Sequence, residues 1–371
     1  MPSDDVQRIG GLGRHRGGRW SPARRSGHGF RHAESFPAFR PRLPWLGADL
    51  QTLRDVLIAH PDPHDPASVE TLDFEMPDGT GDRLSGLLER PRAPSGGRPL
   101  AVLVHGLTGC ADSRYVRRAA GRLLDAGYPV LRLNLRGAGA CRQSCREQYH
   151  SGRSEDLAAV LDLLPPALLA DGVVTIGWSL GANLLLKGLG EFGGRHPIRA
   201  AAAVSAPIDL AGAAARLGAP RNWLYHRWLL ARMKQEAAAA PIAAEYQEAL
   251  ARVRGIVEFD ELITAPRNGF ADAADYYARC SAVRFMPAIP VPTLVIHALD
   301  DPWIPGVAYR DFDWDGNPCL TPLLPRRGGH VGFHAPGGRV WSDDCLLSFL
   351  DRVLQGDAQP ALRRWAASTA K

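Results

Sequence analysis

An α/β architecture, a mostly parallel sheet covered by helices on both faces, is what the sequence predicts, and three observations predict it. From about Ser68, continuous apolar runs of strand length alternate with segments of helical period, the pattern of strands buried on both faces. Residues Gly177-Trp-Ser-Leu-Gly181 set a serine between two glycines where such a run gives way to a helix. Between Ile208 and Pro290 the alternation stops and the period is helical throughout.

The elements follow in order. Val69–Glu75 and Arg83–Leu88, joined through Pro77-Asp-Gly-Thr80, form an antiparallel pair. Pro99–His105 is a strand, and Ser113–Ala126 a helix closed by Gly127, since glycine most readily takes the left-handed conformation that ends a helix. Pro129–Leu135 is a strand, Ser154–Leu164 a helix, Val173–Trp178 a strand, and Leu180–Glu191 a helix ending near Gly193. Each strand-to-helix step is short enough for a right-handed crossover. Ala200–Val204 and Thr293–Ala298 are two more strands, with a last one near Leu320–Leu324 and a closing helix at about Asp343–Leu354. The insertion, at about 209–290 and carrying Trp223, Tyr225, Trp228 and Tyr246, falls over the carboxyl ends of the strands, where ligands bind in such sheets. It reads as a helical cap.

Composition narrows the function. With 45% hydrophobic and 22% charged residues in 371, the chain has an ordinary globular balance, and no apolar run approaches the ~18 residues of a membrane helix. The net charge of +5 belongs to the N-terminus: residues 1–42 hold nine arginines against Asp4, Asp5 and Glu34, which leaves the remainder close to neutral. A basic tail on a neutral body does not make a nucleic-acid surface. Residues 1–43 are therefore expected to be a disordered Arg/Gly-rich tail before one catalytic domain at 44–371. Arg24-Arg25 is followed by no apolar segment, so it makes no export signal. Six cysteines without a dense framework fit a reducing compartment, the cytoplasm. Cys141 and Cys145 lack a second Cys or His pair, so no metal or cofactor is expected.

The serine turn sets the chemistry. In G-x-S-x-G the strained turn lifts the Ser179 hydroxyl clear of the sheet, and the Leu180 N–H at the helix start faces the charge that Ser179 generates. A hydroxyl needs a base and an orienting acid. Both follow downstream: Asp301 in Leu299-Asp-Asp-Pro302, with Asp300 shaping the turn, and His330 in Gly328-Gly-His-Val-Gly332, on a loop that its glycines leave free to swing over Ser179. His334 is the rival base. His105-Gly-Leu-Thr-Gly109 supplies the second oxyanion donor, the N–H of Leu107, with His105 hydrogen-bonded inside its own loop. His150 stands before Glu155 and Asp156 at one residue more than an acyltransferase H-x4-D. Helix capping by Ser151 or Ser154, with Arg136 held by an acid, accounts for that stretch.

Taken together, Leu50-Gln-Thr-Leu53, His105-Gly-Leu-Thr-Gly109, Asn134-Leu-Arg-Gly137, Tyr149-His-Ser-Gly152, Gly177-Trp-Ser-Leu-Gly-Ala-Asn183, the run from Thr264 to Tyr277, and Asp300-Asp-Pro302 resemble the α/β-hydrolase superfamily. Within it they are similar to the YheT-like hydrolases, relatives of plant and animal esterases and lipases. The likeness covers about residues 44–355, and it departs at Gly47-Ala-Asp49 and at Ala182, neither in the triad. It implies Ser179, Asp301 and His330 as catalytic residues and hydrolysis of carboxylic esters, with lipid-like acyl groups for some relatives. The expected partner is a small-molecule ester, hydrophobic or of monoacylglycerol type, with transient lipid-surface contact through the cap. Acyl transfer by the same triad, or a non-catalytic binding protein, remains the alternative. Oligomeric state leaves no mark in the sequence.

Overall fold

The computed structural model describes residues 36–58, 69–92, 96–192, 194–241 and 244–356. Its strands are β1 (Val69–Glu75), β2 (Arg83–Glu89), β3 (Leu100–Val104), β4 (Val130–Asn134), β5 (Val173–Trp178), β6 (Ile198–Val204), β7 (Thr293–Ile296) and β8 (Leu320–Leu323). They make one sheet in the order β1-β2-β4-β3-β5-β6-β7-β8. β1 pairs antiparallel with β2, and β2 with β4, while all later pairs are parallel. This is the mostly parallel sheet expected from the apolar runs. β8 carries Pro322, which is tolerated because the strand lies at the edge with β7 as its neighbour.

Helices cover both faces. They are α1 (Ala48–Leu57), α2 (Arg114–Asp125), α3 (Ser154–Leu163), α4 (Leu180–Phe192), α5 (Leu210–Gly218), α6 (Trp223–Ala239), α7 (Ala244–Arg252), α8 (Ile256–Phe259), α9 (Ala265–Arg267), α10 (Ala273–Cys280), α11 (Val307–Asp311) and α12 (Trp341–Gln355). Side chains of a strand alternate between faces, and β3 shows it: Leu100, Val102 and Val104 pack in one core with Leu157 and Leu184, whereas Ala101 and Leu103 pack in the other with Val116 and Leu346. Each face thus has its own core. Gly127 follows α2 with φ 84°, as expected for its closing residue.

Two expectations change at the N-terminus and at α3. Residues 36–43, within the expected tail, pack onto the body: Phe36 is buried, Phe39 meets the rings of Phe333 and Trp341 at 5.9 and 5.7 Å, and the Trp341 indole donates to the Pro37 carbonyl at 2.6 Å. Three aromatic rings bury enough apolar area to order this stretch. The rest of the expected tail, residues 1–35, lies outside the described residues. At α3 no serine caps the helix; Arg153 occupies the cap position without a capping side-chain bond, and Ser154 Oγ binds Gly152 O at 3.4 Å and Lys187 Nζ at 3.0 Å. Glu155 and Asp156 in the first turn supply the negative charge that the helix start favours.

Arg136 is held by acids, as expected, but by several at once. Its guanidinium grips Asp156 with two nitrogens, at 2.6 and 3.0 Å, and reaches Asp82 at 2.8 Å and Asp78 at 2.7 Å. Asp82 also accepts the N–H groups of Arg146 and Glu147. One cation therefore ties the β1–β2 turn to α3 and to the loop carrying Tyr149. Burial is outweighed by these carboxylates, so Arg136 stays charged well above its ordinary pKa. Arg136→Met should leave these acids buried without their cation, and we expect a loss of about 3–5 kcal/mol in denaturant unfolding.

Candidate active site

Ser179 sits at the end of β5 with φ 51°, in the left-handed region that side chains avoid unless the surroundings hold them there. The glycines around it explain how. A Cβ at Gly177 would lie 2.6 Å from Gly181 O, and one at Gly181 would overlap His105 O. Only bare backbone lets the serine turn lie directly against the end of β3. That contact sets Ser179 beside the 105–109 loop.

The structure brings Ser179, His330 and Asp301 into one hydrogen-bonded line. His330 Nε2 is 3.0 Å from Ser179 Oγ, and His330 Nδ1 is 2.8 Å from Asp301 Oδ2. The other oxygen of Asp301 accepts the N–H groups of Trp303 and Ile304, at 2.8 and 3.0 Å. Burial would raise the Asp301 pKa, but the facing imidazole and these donors outweigh it and hold the carboxyl below its ordinary value. An ionised Asp301 can only accept, so Nδ1 carries the proton and Nε2 is left to accept from the serine hydroxyl. Asp300 serves the turn: its Oδ1 accepts the N–H of Gly329 at 3.0 Å. His334 lies 3.3 Å from Asp55 of α1, away from this line.

The His330 loop is fastened where free swing was expected. His330 N–H donates to Thr52 Oγ1 at 2.9 Å, Val331 N–H to Ser205 Oγ at 3.1 Å, and His334 N–H to Gln51 Oε1 at 2.6 Å. A Cβ at Gly332 would lie 2.5 Å from Gln51 O, and one at Gly329 would overlap Ala48 O. The glycines serve close packing against α1. Trp303 covers the imidazole, its ring 4.4 Å away and 26° from parallel. In the sequence Leu50-Gln-Thr-Leu53 is a mark of likeness with no evident task. Its Gln51 and Thr52 hold the candidate base.

Both expected oxyanion donors line the same cavity as Ser179. The neighbours of Leu107 are occupied: Gly106 N–H donates to the Tyr115 hydroxyl at 2.8 Å and Thr108 N–H to the Tyr149 hydroxyl at 2.7 Å. Among the described residues the Leu107 N–H has no such partner, and the Leu180 N–H opens α4, whose first N–H groups lack intrahelical acceptors. The two tyrosines were missed, since nothing local in sequence ties them to this loop. His105 is internal, as read: its Nε2 accepts from Leu135 N–H at 3.1 Å, so Nδ1 donates to Gly106 O at 2.8 Å. Burial lowers its pKa to about 4, and it stays neutral.

The cavity holds about 130 Å³ and lies between the strand ends and the 209–290 insertion. Leu210 and Leu217 of α5, Leu229 and Met233 of α6, and Phe259 of α8 form its apolar wall. Among the described residues no group of His, Cys, Asp or Glu is arranged to hold a metal ion, and no helix is long and apolar enough to cross a membrane. Cys141 is a buried thiol that accepts the Ser85 N–H at 2.9 Å, and burial pushes its pKa up to about 11.

Residues 99–335 match the family described as alpha/beta hydrolase fold. The chain is 35% identical to YheT of Escherichia coli (strain K12) over 292 residues, 76% of this chain and 84% of that protein. The chain is an α/β hydrolase of the YheT branch. This α/β hydrolase is also 28% identical to the Mus musculus phospholipase ABHD3, over 70% of its own length and 62% of the relative's. To the Saccharomyces cerevisiae monoacylglycerol lipase it is 28% identical over 68% of its length and 59% of the relative's. It thus spans about three fifths of these two proteins. Among solved structures, the Pyrococcus furiosus esterase Pf2001 shares its fold, with a TM-score of 0.53 and 19% identity over 77% of this chain and 93% of that one.

In this α/β hydrolase, Thr52→Val should leave the buried His330 N–H without its acceptor. We expect a loss of about 1–3 kcal/mol in denaturant unfolding, with turnover falling as the imidazole loses its fixed position. Unchanged turnover in a folded variant would count against the fastening role.

Proposed function

We propose that this hydrolase cleaves carboxylic esters through an acyl-enzyme on Ser179, with His330 as base and acid and Asp301 as the orienting carboxylate. The observation that carries the reading is the line from Asp301 through His330 to Ser179, ending on a cavity wall beside the Leu107 and Leu180 N–H groups. Ser179 Oγ attacks the ester carbonyl carbon while Nε2 takes the hydroxyl proton, and the two N–H groups receive the oxyanion. Collapse expels the alcohol, which leaves with the proton from Nε2. Water then gives its proton to Nε2 and attacks the acyl carbonyl, freeing the acid and restoring Ser179. Asp301 stays ionised throughout.

The substrates fit hydrophobic esters, monoacylglycerol type included. The apolar wall supports this, as do relatives named as a monoacylglycerol lipase and a phospholipase; the name of YheT itself proposes an esterase. The cavity is close to the ~150 Å³ that admits a benzene ring, and the 209–290 insertion, acting as a cap, forms the wall along which a longer acyl chain would lie. The free thiols suit the cytoplasm as its place of work.

The cap also carries the surface suited to lipid contact. Trp223, Leu224 and Trp228 of α6 are exposed, the first and last beneath the guanidiniums of Arg227 and Arg232, aromatic rings and cations that suit the boundary of an anionic membrane. Trp223→Ala with Leu224→Ser should weaken co-sedimentation with anionic vesicles while hydrolysis of a soluble aryl ester stays within about twofold.

The decisive test is hydrolysis of a chain-length series of aryl esters by wild type and Ser179→Ala. We expect kcat to fall on the order of 10⁴–10⁶-fold, and a loss under about tenfold would overturn the reading. Labelling by a fluorophosphonate at Ser179 separates the enzyme from a non-catalytic binding protein. Product analysis with an acceptor alcohol separates hydrolysis from acyl transfer.

A further inference from the structure

Among the described residues, every buried acid but one faces a basic side chain. Asp82 and Asp156 face Arg136, Glu89 faces Arg132, Glu236 faces Arg142, Asp301 faces His330 and Asp343 faces Arg118. Asp260 is buried too, at 9% exposure, and among the described residues forms no ion pair. Its donors are neutral hydroxyls, Tyr277 at 2.7 Å on one oxygen and Thr264 at 2.8 Å on the other. A carboxylate has about four acceptor sites, so roughly half of its capacity is open. Burying such a group without a cation is costly, and the burial raises its pKa to about 6.

The place of this residue supplies a reason for the cost. Asp260 lines the same cavity as Ser179, beside Thr264, Tyr276 and Tyr277. It begins a π-helical turn, Asp260–Thr264, set between α8 and α9, a backbone irregularity that recurs at functional sites. Among the described residues of this wall no cation answers it, and Glu236 carries a charge of the same sign. Glu236 is engaged by Arg142 and by the Tyr149 hydroxyl, and burial lowers the His150 pKa to about 3, which keeps that ring neutral.

We infer that Asp260 is a specificity residue: its open carboxylate lone pairs receive a hydrogen-bond donor, a hydroxyl or a protonated amine, carried by the substrate away from its ester carbonyl. The inference rests on the cavity being the ester site. It narrows the substrate class from plain hydrophobic esters to esters with one polar donor in an otherwise apolar body. A ligand donor completes the carboxylate, and an unsubstituted chain leaves it unsatisfied.

The test uses aryl esters of plain, terminally hydroxylated and terminally aminated acids over a series of chain lengths, with wild type, Asp260→Asn and Tyr277→Phe. At the chain length that reaches Asp260, wild type should prefer a donor-bearing ester, and Asp260→Asn should lower kcat/KM for it by about tenfold or more. The plain ester should change by less than about twofold, which also reports that the variant folds. Comparing the hydroxyl and ammonium arms tells which donor is used. Tyr277→Phe removes a structural bond and keeps the carboxylate, so it should retain the preference. Equal losses on all esters in both variants, or no preference in wild type at any chain length, would assign Asp260 to structure alone and overturn the inference. Calorimetric titration of hexylamine and hexanol into Ser179→Ala, with and without Asp260→Asn, reads the subsite without turnover. Binding there that depends on Asp260 would stand even if no ester were cleaved, and binding that ignores it would sink the inference by itself.

Discussion

The site depends on a contact between two pieces of bare backbone. The turn from β5 into α4 lies against the end of β3 so closely that Gly181 could not carry a methyl group, and it folds back on itself so tightly that one at Gly177 would strike the backbone of Gly181 and Ala182. This approach sets the Ser179 hydroxyl, the Leu180 N–H and the Leu107 N–H around one volume. No pairwise attraction between these groups would hold them so; the sheet hydrogen bonds of β3 with β5 and the two packed faces impose it. The positive φ of Ser179 is the local strain that results, and the surrounding cores stabilise it.

A second layer of polar fastening holds what the sheet does not. The tyrosine hydroxyls of Tyr115 and Tyr149 occupy the N–H groups on either side of Leu107. Tyr149 is in turn carried on the loop that Arg136 ties to α3 through Asp156 and to the β1–β2 turn through Asp78 and Asp82. The charged network thus reaches the cavity in a few bonds. These ion pairs gain little for stability by replacing hydration, but they leave the loop a single arrangement. Rigidity of this kind would suit the proposed oxyanion donor, the Leu107 N–H, which must be in place before charge develops.

Much of the design was legible in the sequence because its signals are local. Continuous apolar runs marked each strand, and the spaced glycines marked the serine turn. The chain order of Ser179, Asp301 and His330 needed only those elements to be placed. The parts that stayed hidden lack a local signal. α1 buries Gln51 and Arg54, polar residues that no apolar period reveals. The glycines around His330 suggested freedom, whereas their neighbour in space, α1, makes them a condition of packing. Tyr115 and Tyr149 act on a loop 9 and 41 residues away. Asp260, within a run of alternating acid and apolar residues, gave no hint that its carboxylate would be enclosed.

The anchoring of the histidine loop by α1 joins positions 278 residues apart. A nascent chain releases Ser179 from the ribosome long before residue 330 is made, and Thr52 Oγ1, bonded within α1 to the Ala48 carbonyl, waits for the His330 N–H. Since domains begin to organise from the N-terminal side during translation, the sheet can be largely built while the imidazole of residue 330 is still missing. On the proposed mechanism, a copy made only as far as Asp301 therefore carries a serine hydroxyl with no base beside it.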